Sequence, residues 1–184
     1  MTTPSQTVGP FFGYALPFTG GGQVAPVGDA RAITVHGRVL DGAGAGVPDA
    51  LLEFWQASPD GSRTGAPGSL RRDQTTGAVL GRHGVDFTGF GRLATDADGH
   101  YALRTLPPPD DAPYLAIAVF ARGLLHHLYT RAYLPGHADD ALLASLAPER
   151  RGTLRARAER DGVYRFDIRM QGAPDEETVF LDFR

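Results

Sequence analysis

Cysteine, lysine and asparagine are all absent from this 184-residue chain, and tryptophan occurs once. Without cysteine there is neither a disulfide nor a thiolate ligand, so any metal must be held by His, Tyr, Asp or Glu. Every lysine or arginine position is arginine, which reads as genomic base bias rather than mechanism. Positive charge is in short supply: the net charge of −3 gives no electrostatic case for nucleic acid. No apolar run approaches the roughly 18 residues of a membrane span. The opening MTTPSQTVGP lacks the basic start of a secretory signal. A cytoplasmic protein, with no membrane partner, is the expectation. There is also no phosphate loop, no G-x-S-x-G and no paired-carboxylate signature.

Glycine and proline are plentiful instead, 24 and 14 residues, clustered between short alternating segments. That pattern predicts an all-β sandwich or barrel. Residues 32–40, AITVHGRVL, alternate Ile33, Val35 and Val39 against Thr34, His36 and Arg38. DGAGAGVPD turns the chain into ALLEFWQA, and TDADG turns it into HYALRT, each Asp-Gly supplying a tight connection. Further strands are predicted over 114–121, 124–134, 163–171 and 178–183. HADDALLASLA, residues 137–147, predicts one short helix capped near Asp139 or Asp140 and stopped by Pro148. Residues 1–31 read as an extended arm ahead of a sandwich domain over 32–184. Residues 58–89 read as a long loop, of a length usually functional or disordered in compact domains.

The histidines do not announce a metal centre. On a regular strand the adjacent His126 and His127 point to opposite faces and cannot chelate one ion together. His36, His83, His100 and His137 are scattered. Asp96 and Asp98 lie in a segment too short for the twelve-residue calcium loop, so TDADG reads as a turn. The residues alone describe a β-sandwich without a catalytic centre.

Five stretches taken together carry a resemblance: TPSQTVGPFF, GRVLDGAGAGVPDALLEFWQASPDG, GFGRLATDADGHYALRTLPP, VFARGLLHHLYTRAYL and YRFDIRMQG…ETVFLDF. In this order, from Thr3 to Phe183, they resemble the intradiol ring-cleaving dioxygenases. The Asp-Gly turn segments are common among β-sandwiches; the first stretch and the last two are specific. The resemblance implies a β-sandwich core and a non-haem Fe(III) chemistry that uses two tyrosinates and two histidines. Hard phenolate oxygens favour ferric iron, and ligation activates a catechol ring towards O₂.

The chain departs from that pattern at the ligands. The position matching the first tyrosine is Arg63. The segment LPPPDDAP lacks the second. Where family members carry R-P-x-H-x-H, this chain has Asp111-Ala112-Pro113-Tyr114-Leu115-Ala116. Tyr114 and Ala116 thus replace the histidines, and Arg131 replaces a glutamine near the iron. The resemblance therefore points to the iron-free alpha subunit of a heteromeric member, with Fe(III) held by the partner beta subunit. The implied reaction is cleavage of protocatechuate by O₂, between its hydroxyl-bearing carbons, to 3-carboxy-cis,cis-muconate. No catalytic or metal-ligating residue is expected in this chain itself.

Substrate-binding residues are implied at two places. The segment Thr7-Val8-Gly9-Pro10-Phe11 matches a family stretch reaching the partner's site, where Phe11 replaces the usual tyrosine. Gly9 and Pro10 suit a backbone that approaches a ligand closely; an arm that merely ties subunits together is the plainer alternative. Arg122, in the Ala-Arg-Gly break, matches an arginine near the substrate pocket. Its planar fork suits a carboxylate, although arginine in a hairpin turn is also ordinary solvated charge. Two other readings stand beside this one. A free-standing transthyretin-like or carbohydrate-binding sandwich would leave TPSQTVGP and the FARG strand pair unexplained. A self-sufficient dioxygenase with unusual ligands is opposed by Ala116.

Overall fold

The alternation over 32–40 becomes strand β1 (Ile33–Leu40), with Val35 and Val39 fully buried and Arg38 facing solvent. The computed structural model describes residues 4, 6–9, 11–66 and 70–183. Following β1 come β2 (Leu51–Trp55), β3 (Leu70–Arg72), β4 (Val79–Arg82), β5 (Phe90–Ala94) and β6 (His100–Thr105). Then follow β7 (Tyr114–Phe120), β8 (Leu128–Tyr133), β9 (Arg157–Arg160), β10 (Val163–Arg165) and β11 (Ile168–Arg169). Among the described residues three short helices punctuate them: α1 (Phe12–Ala15), α2 (Ala141–Ser145) and α3 (Pro148–Gly152).

Two sheets face each other. In the first, β1 pairs antiparallel with β6 on one edge and parallel with β10 and β11 on the other, and β9 continues from β10. The second is antiparallel in the order β5-β2-β7-β8. Side chains alternate across each strand, so Val35, Val39, Tyr101 and Leu103 meet Leu52, Phe54, Leu115, Ile117 and Val119 in one core. Tyr101 is buried there, and its hydroxyl donates to the Phe166 carbonyl at 2.6 Å. Burial pushes that phenol's pKa far up, so it stays a neutral donor. Gly37 lies where a Cβ would stand 1.9 Å from the same carbonyl oxygen. A second, smaller cluster of Tyr133, Leu143, Leu154 and Val179 sits under α2.

The all-β sandwich is therefore as read, with differences in detail. The anticipated helix is α2, capped by Asp140, whose carboxylate accepts from the Leu143 amide at 3.0 Å. Two further short helices join it. Pro148 does more than stop α2: it opens α3 at a first-turn position that needs no amide hydrogen. The supposed loop over 58–89 contains the hairpin β3–β4. Its strands are largely exposed, so no alternating pattern reveals them. Arg82 ties this hairpin to the second sheet by hydrogen bonds to the Thr88 hydroxyl and the Phe90 carbonyl. Burial lowers its pKa to about 10, which still leaves it charged at neutral pH. The strand predicted over 178–183 reduces to a single bridge, Leu181 to Tyr129. TDADG forms the expected turn: the Asp96 carboxylate accepts from the amides of Asp98 and His100, each at 2.9 Å. Strand β8 begins only at Leu128, so His126 and His127 precede it rather than alternating along it. His127 packs its ring against Phe120 and Tyr129, at 5.2 and 4.4 Å between centroids.

Candidate functional site

Register decides what the solvent-side face of the second sheet presents. Across β5, β2, β7 and β8 one row reads Phe90, Trp55, Ala116, Arg131. The next row reads Arg92, Glu53, Ala118, Tyr129. Two alanines in the middle of rows of large side chains leave a hollow, and the result is a cleft of about 620 Å³. Trp55 and Glu53 bound one side, Tyr114, Tyr129 and Arg131 the other, and Leu181 and Phe183 complete it.

This cleft is where the resemblance places the iron, because Tyr114, Ala116 and Arg131 all line it. The residues present do not fit a ferric ion. Ala116 has no donor atom. The Arg131 guanidinium lies 3.8 Å from the centroid of the Tyr114 ring, a fixed positive charge where a trivalent cation would need anionic oxygens. Tyr133, the other phenol nearby, bonds to Arg131 at 3.2 Å and donates to Asp140 at 2.9 Å. Burial pushes its pKa up to about 12, the opposite of what a tyrosinate ligand requires. Glu53 is bound to Arg92, with 2.7 Å between Nε and the carboxylate. Arg63 lies exposed in the segment after β2. Among the described residues, no group of three or more His, Asp or Glu is placed to hold a metal ion.

The anticipated substrate-binding residues lie elsewhere on the chain. Thr7 accepts from the Gly9 amide at 3.3 Å, and Gly9 adopts φ +75°, a conformation that favours glycine. Phe11 is 76% exposed, whereas the next residue, Phe12, is buried and anchors α1. Pro10 lies outside the described residues. Arg122 follows β7, and its position comes from the register. Leu51 pairs with Phe120, so continuing outward by two residues sets Asp49 against Arg122. Their side chains pair at 2.5 Å, with Arg122 74% exposed. A small hollow of about 200 Å³ joins Phe12, Gly13 and Tyr14 of α1 to Asp49 and Arg122. The structure thus brings Arg122 beside α1. Thr7 and Gly9 themselves do not line that hollow.

Asp49, Phe12 and Tyr14 were not picked out from the sequence. Asp49 was findable, since it faces Arg122 once the β2–β7 register is known. The Tyr133–Arg131–Asp140 network had only half a signal, the Tyr129, Arg131, Tyr133 alternation; Asp140 arrives from a separate helix.

A sandwich with this topology and this face has clear relatives. A family model described as Dioxygenase matches residues 20–172. The chain belongs to that family, the intradiol dioxygenases, whose members depend on non-haem Fe(III). The protocatechuate 3,4-dioxygenase alpha chain of Burkholderia cepacia is 39% identical, with 98% of this chain and 96% of the relative aligned. The alpha chain from Pseudomonas putida is 35% identical over the same shares. The beta chain of the Burkholderia cepacia enzyme is 32% identical over 65% of this chain and 49% of that one. Among solved structures, the dioxygenase domain of a dioxygenase–carbohydrate-binding fusion from Streptomyces sp. SirexAA-E superposes with TM-score 0.54. It is 26% identical, covering 93% of this chain and 99% of that domain. Catechol 1,2-dioxygenase from Acinetobacter sp. ADP1, 16% identical with TM-score 0.51 over 79% of this chain and 55% of that one, shares the fold. No helix among the described residues is long and apolar enough to cross a membrane.

Proposed function

We propose that this chain is the alpha-type subunit of a cytoplasmic hetero-oligomeric protocatechuate dioxygenase, and that the beta subunit holds the catalytic Fe(III). The observation that carries this reading is the cleft on the second sheet. It lies on the family's ligand strand, yet Ala116 and Arg131 stand there in a chain matching alpha chains along nearly its whole length. When bound in the beta subunit, the iron would supply activation of the catecholate towards O₂. This chain's residues bind and orient.

The arm and Arg122 are its contribution to the partner's site. Gly9 turns the backbone with a positive φ, and burial of Phe12 fixes the arm's root. Phe11 projects an apolar ring outward without the hydroxyl of the family tyrosine. Arg122 presents a permanent positive charge that pairs through Nη2 with Asp49 while most of its side chain stays exposed, so the rest of the fork is available for a substrate carboxylate. The exposed Val8, Phe11, Tyr14 and Leu16 form the apolar surface of the same arm, suited to burial against another subunit.

Co-expression with a beta-type chain tests the reading. The expected result is a stable hetero-oligomer by light scattering that cleaves protocatechuate, while the chain alone is inactive. A well-behaved monomer that ignores the beta chain would favour a free-standing binding module instead.

A further inference from the structure

We propose that the cleft on the second sheet is a binding site of this chain's own, and that its ligand is a small aromatic carboxylate. The inference rests on the cleft itself and does not depend on the role of the arm or of Arg122.

The shape comes from the cross-strand rows. Ala116 and Ala118 form a flat floor, and Trp55 and Tyr129 rise on either side of it. A cleft of about 620 Å³ falls within the size range of small-molecule sites and exceeds what a single benzene ring needs. Trp55 is 54% exposed and Phe183 72% exposed, so large apolar faces stand open to water. Covering them with a planar ring recovers apolar area, and the ring contacts add to it.

The charge comes from Arg131, and the network around it is arranged to keep it presented. Its Nη1 bonds to the Tyr133 hydroxyl at 3.2 Å and to Asp140 at 3.1 Å. Asp140 shares its charge among three donors: Arg131, the Tyr133 hydroxyl and the Leu143 amide. Arg131 Nε and Nη2 make no hydrogen bond to the described residues. Only about a quarter of the side chain is exposed, so it is held in one orientation against Tyr114. A fixed guanidinium with an unused edge, beside aromatic walls, is complementary to a carboxylate borne on a ring. At the other side Glu53 is neutralised by Arg92 and does not repel an anion strongly.

Trp55 is the chain's one tryptophan and lines the cleft, so its fluorescence reports occupancy directly. Titrating the full chain with benzoate is expected to change Trp55 emission saturably, with a dissociation constant below about 1 mM. Benzamide, which keeps the ring but not the charge, should bind at least about tenfold more weakly, as should the Arg131→Met variant towards benzoate. Ala116→Phe fills the floor while leaving the arginine network intact, and should abolish the response. Circular dichroism verifies folding of each variant. In crystals of the complex with the beta chain, 4-bromobenzoate should place a bromine anomalous peak between Trp55 and Arg131. Equal binding of benzoate and benzamide, an unaltered response in Ala116→Phe, or bromine only outside the cleft would overturn the proposal.

Discussion

Replacing Arg122 by alanine in the assembled complex separates recognition from scaffolding. Its side chain is 74% exposed and forms an ion pair with Asp49 at 2.5 Å. An exposed pair contributes at most about 1 kcal/mol to folding, so Arg122→Ala should leave the sandwich and the assembly intact. If Arg122 meets the substrate carboxylate, a hydrogen bond to a charged group is lost. That costs about 1.5–3 kcal/mol, a roughly ten- to 150-fold fall in kcat/KM. Catechol has no carboxylate, so its turnover should fall much less. Steady-state kinetics on both substrates, at low and high salt, give the decisive comparison. A loss that shrinks with salt marks steering; one that persists marks contact. Arg122→Lys keeps charge but not the fork, and should recover the steering component alone. Equal losses for both substrates, with iron content and assembly unchanged, would refute the reasoning and leave Arg122 a turn residue.

Deleting residues 1–9 should lower activity of the complex while changing the chain's unfolding free energy by less than about 0.5 kcal/mol, because the described residues there are largely exposed; urea denaturation and kinetics check both halves. Tyr101→Phe leaves the buried Phe166 carbonyl without its hydroxyl donor and should cost about 1–3 kcal/mol in the same denaturation. Of the six tyrosines, Tyr133 should ionise late, near pH 12, and Tyr101 later still in alkaline difference spectra. Because burial raises the Tyr133 pKa above the unfolded value near 10, its stabilising contribution is complete below that pH and is lost as pH rises towards about 12. Ionisation of all six together, near pH 10, would contradict the burial argument.

How much was legible in the sequence depended on burial. Strands that bury alternate residues, such as β1 and β6, declared themselves through Val35, Val39, Tyr101 and Leu103. The β3–β4 hairpin buries almost nothing and gave no pattern, and in β5 the sequence FGRLA interrupts alternation with Gly91 and Arg92. A Cβ at Gly91 would come within 2.8 Å of a Leu103 methyl and 2.9 Å of a Val24 methyl, so a larger residue there would have to displace core side chains. The missing donors at Ala116 and Arg131 could be read from the motif alone. What could not be read was their consequence, a cleft whose floor comes from β7 and whose walls come from β2 and β8. That arrangement depends on register between strands some 60 residues apart in the chain, such as Trp55 with Ala116.

Iron analysis of the purified single chain, alongside the complex with the beta subunit, tests the central claim most directly. No stoichiometric iron and no visible tyrosinate-to-iron absorption are expected in this chain, with both present in the complex. One tightly held iron per isolated chain, accompanied by that absorption band, would contradict it.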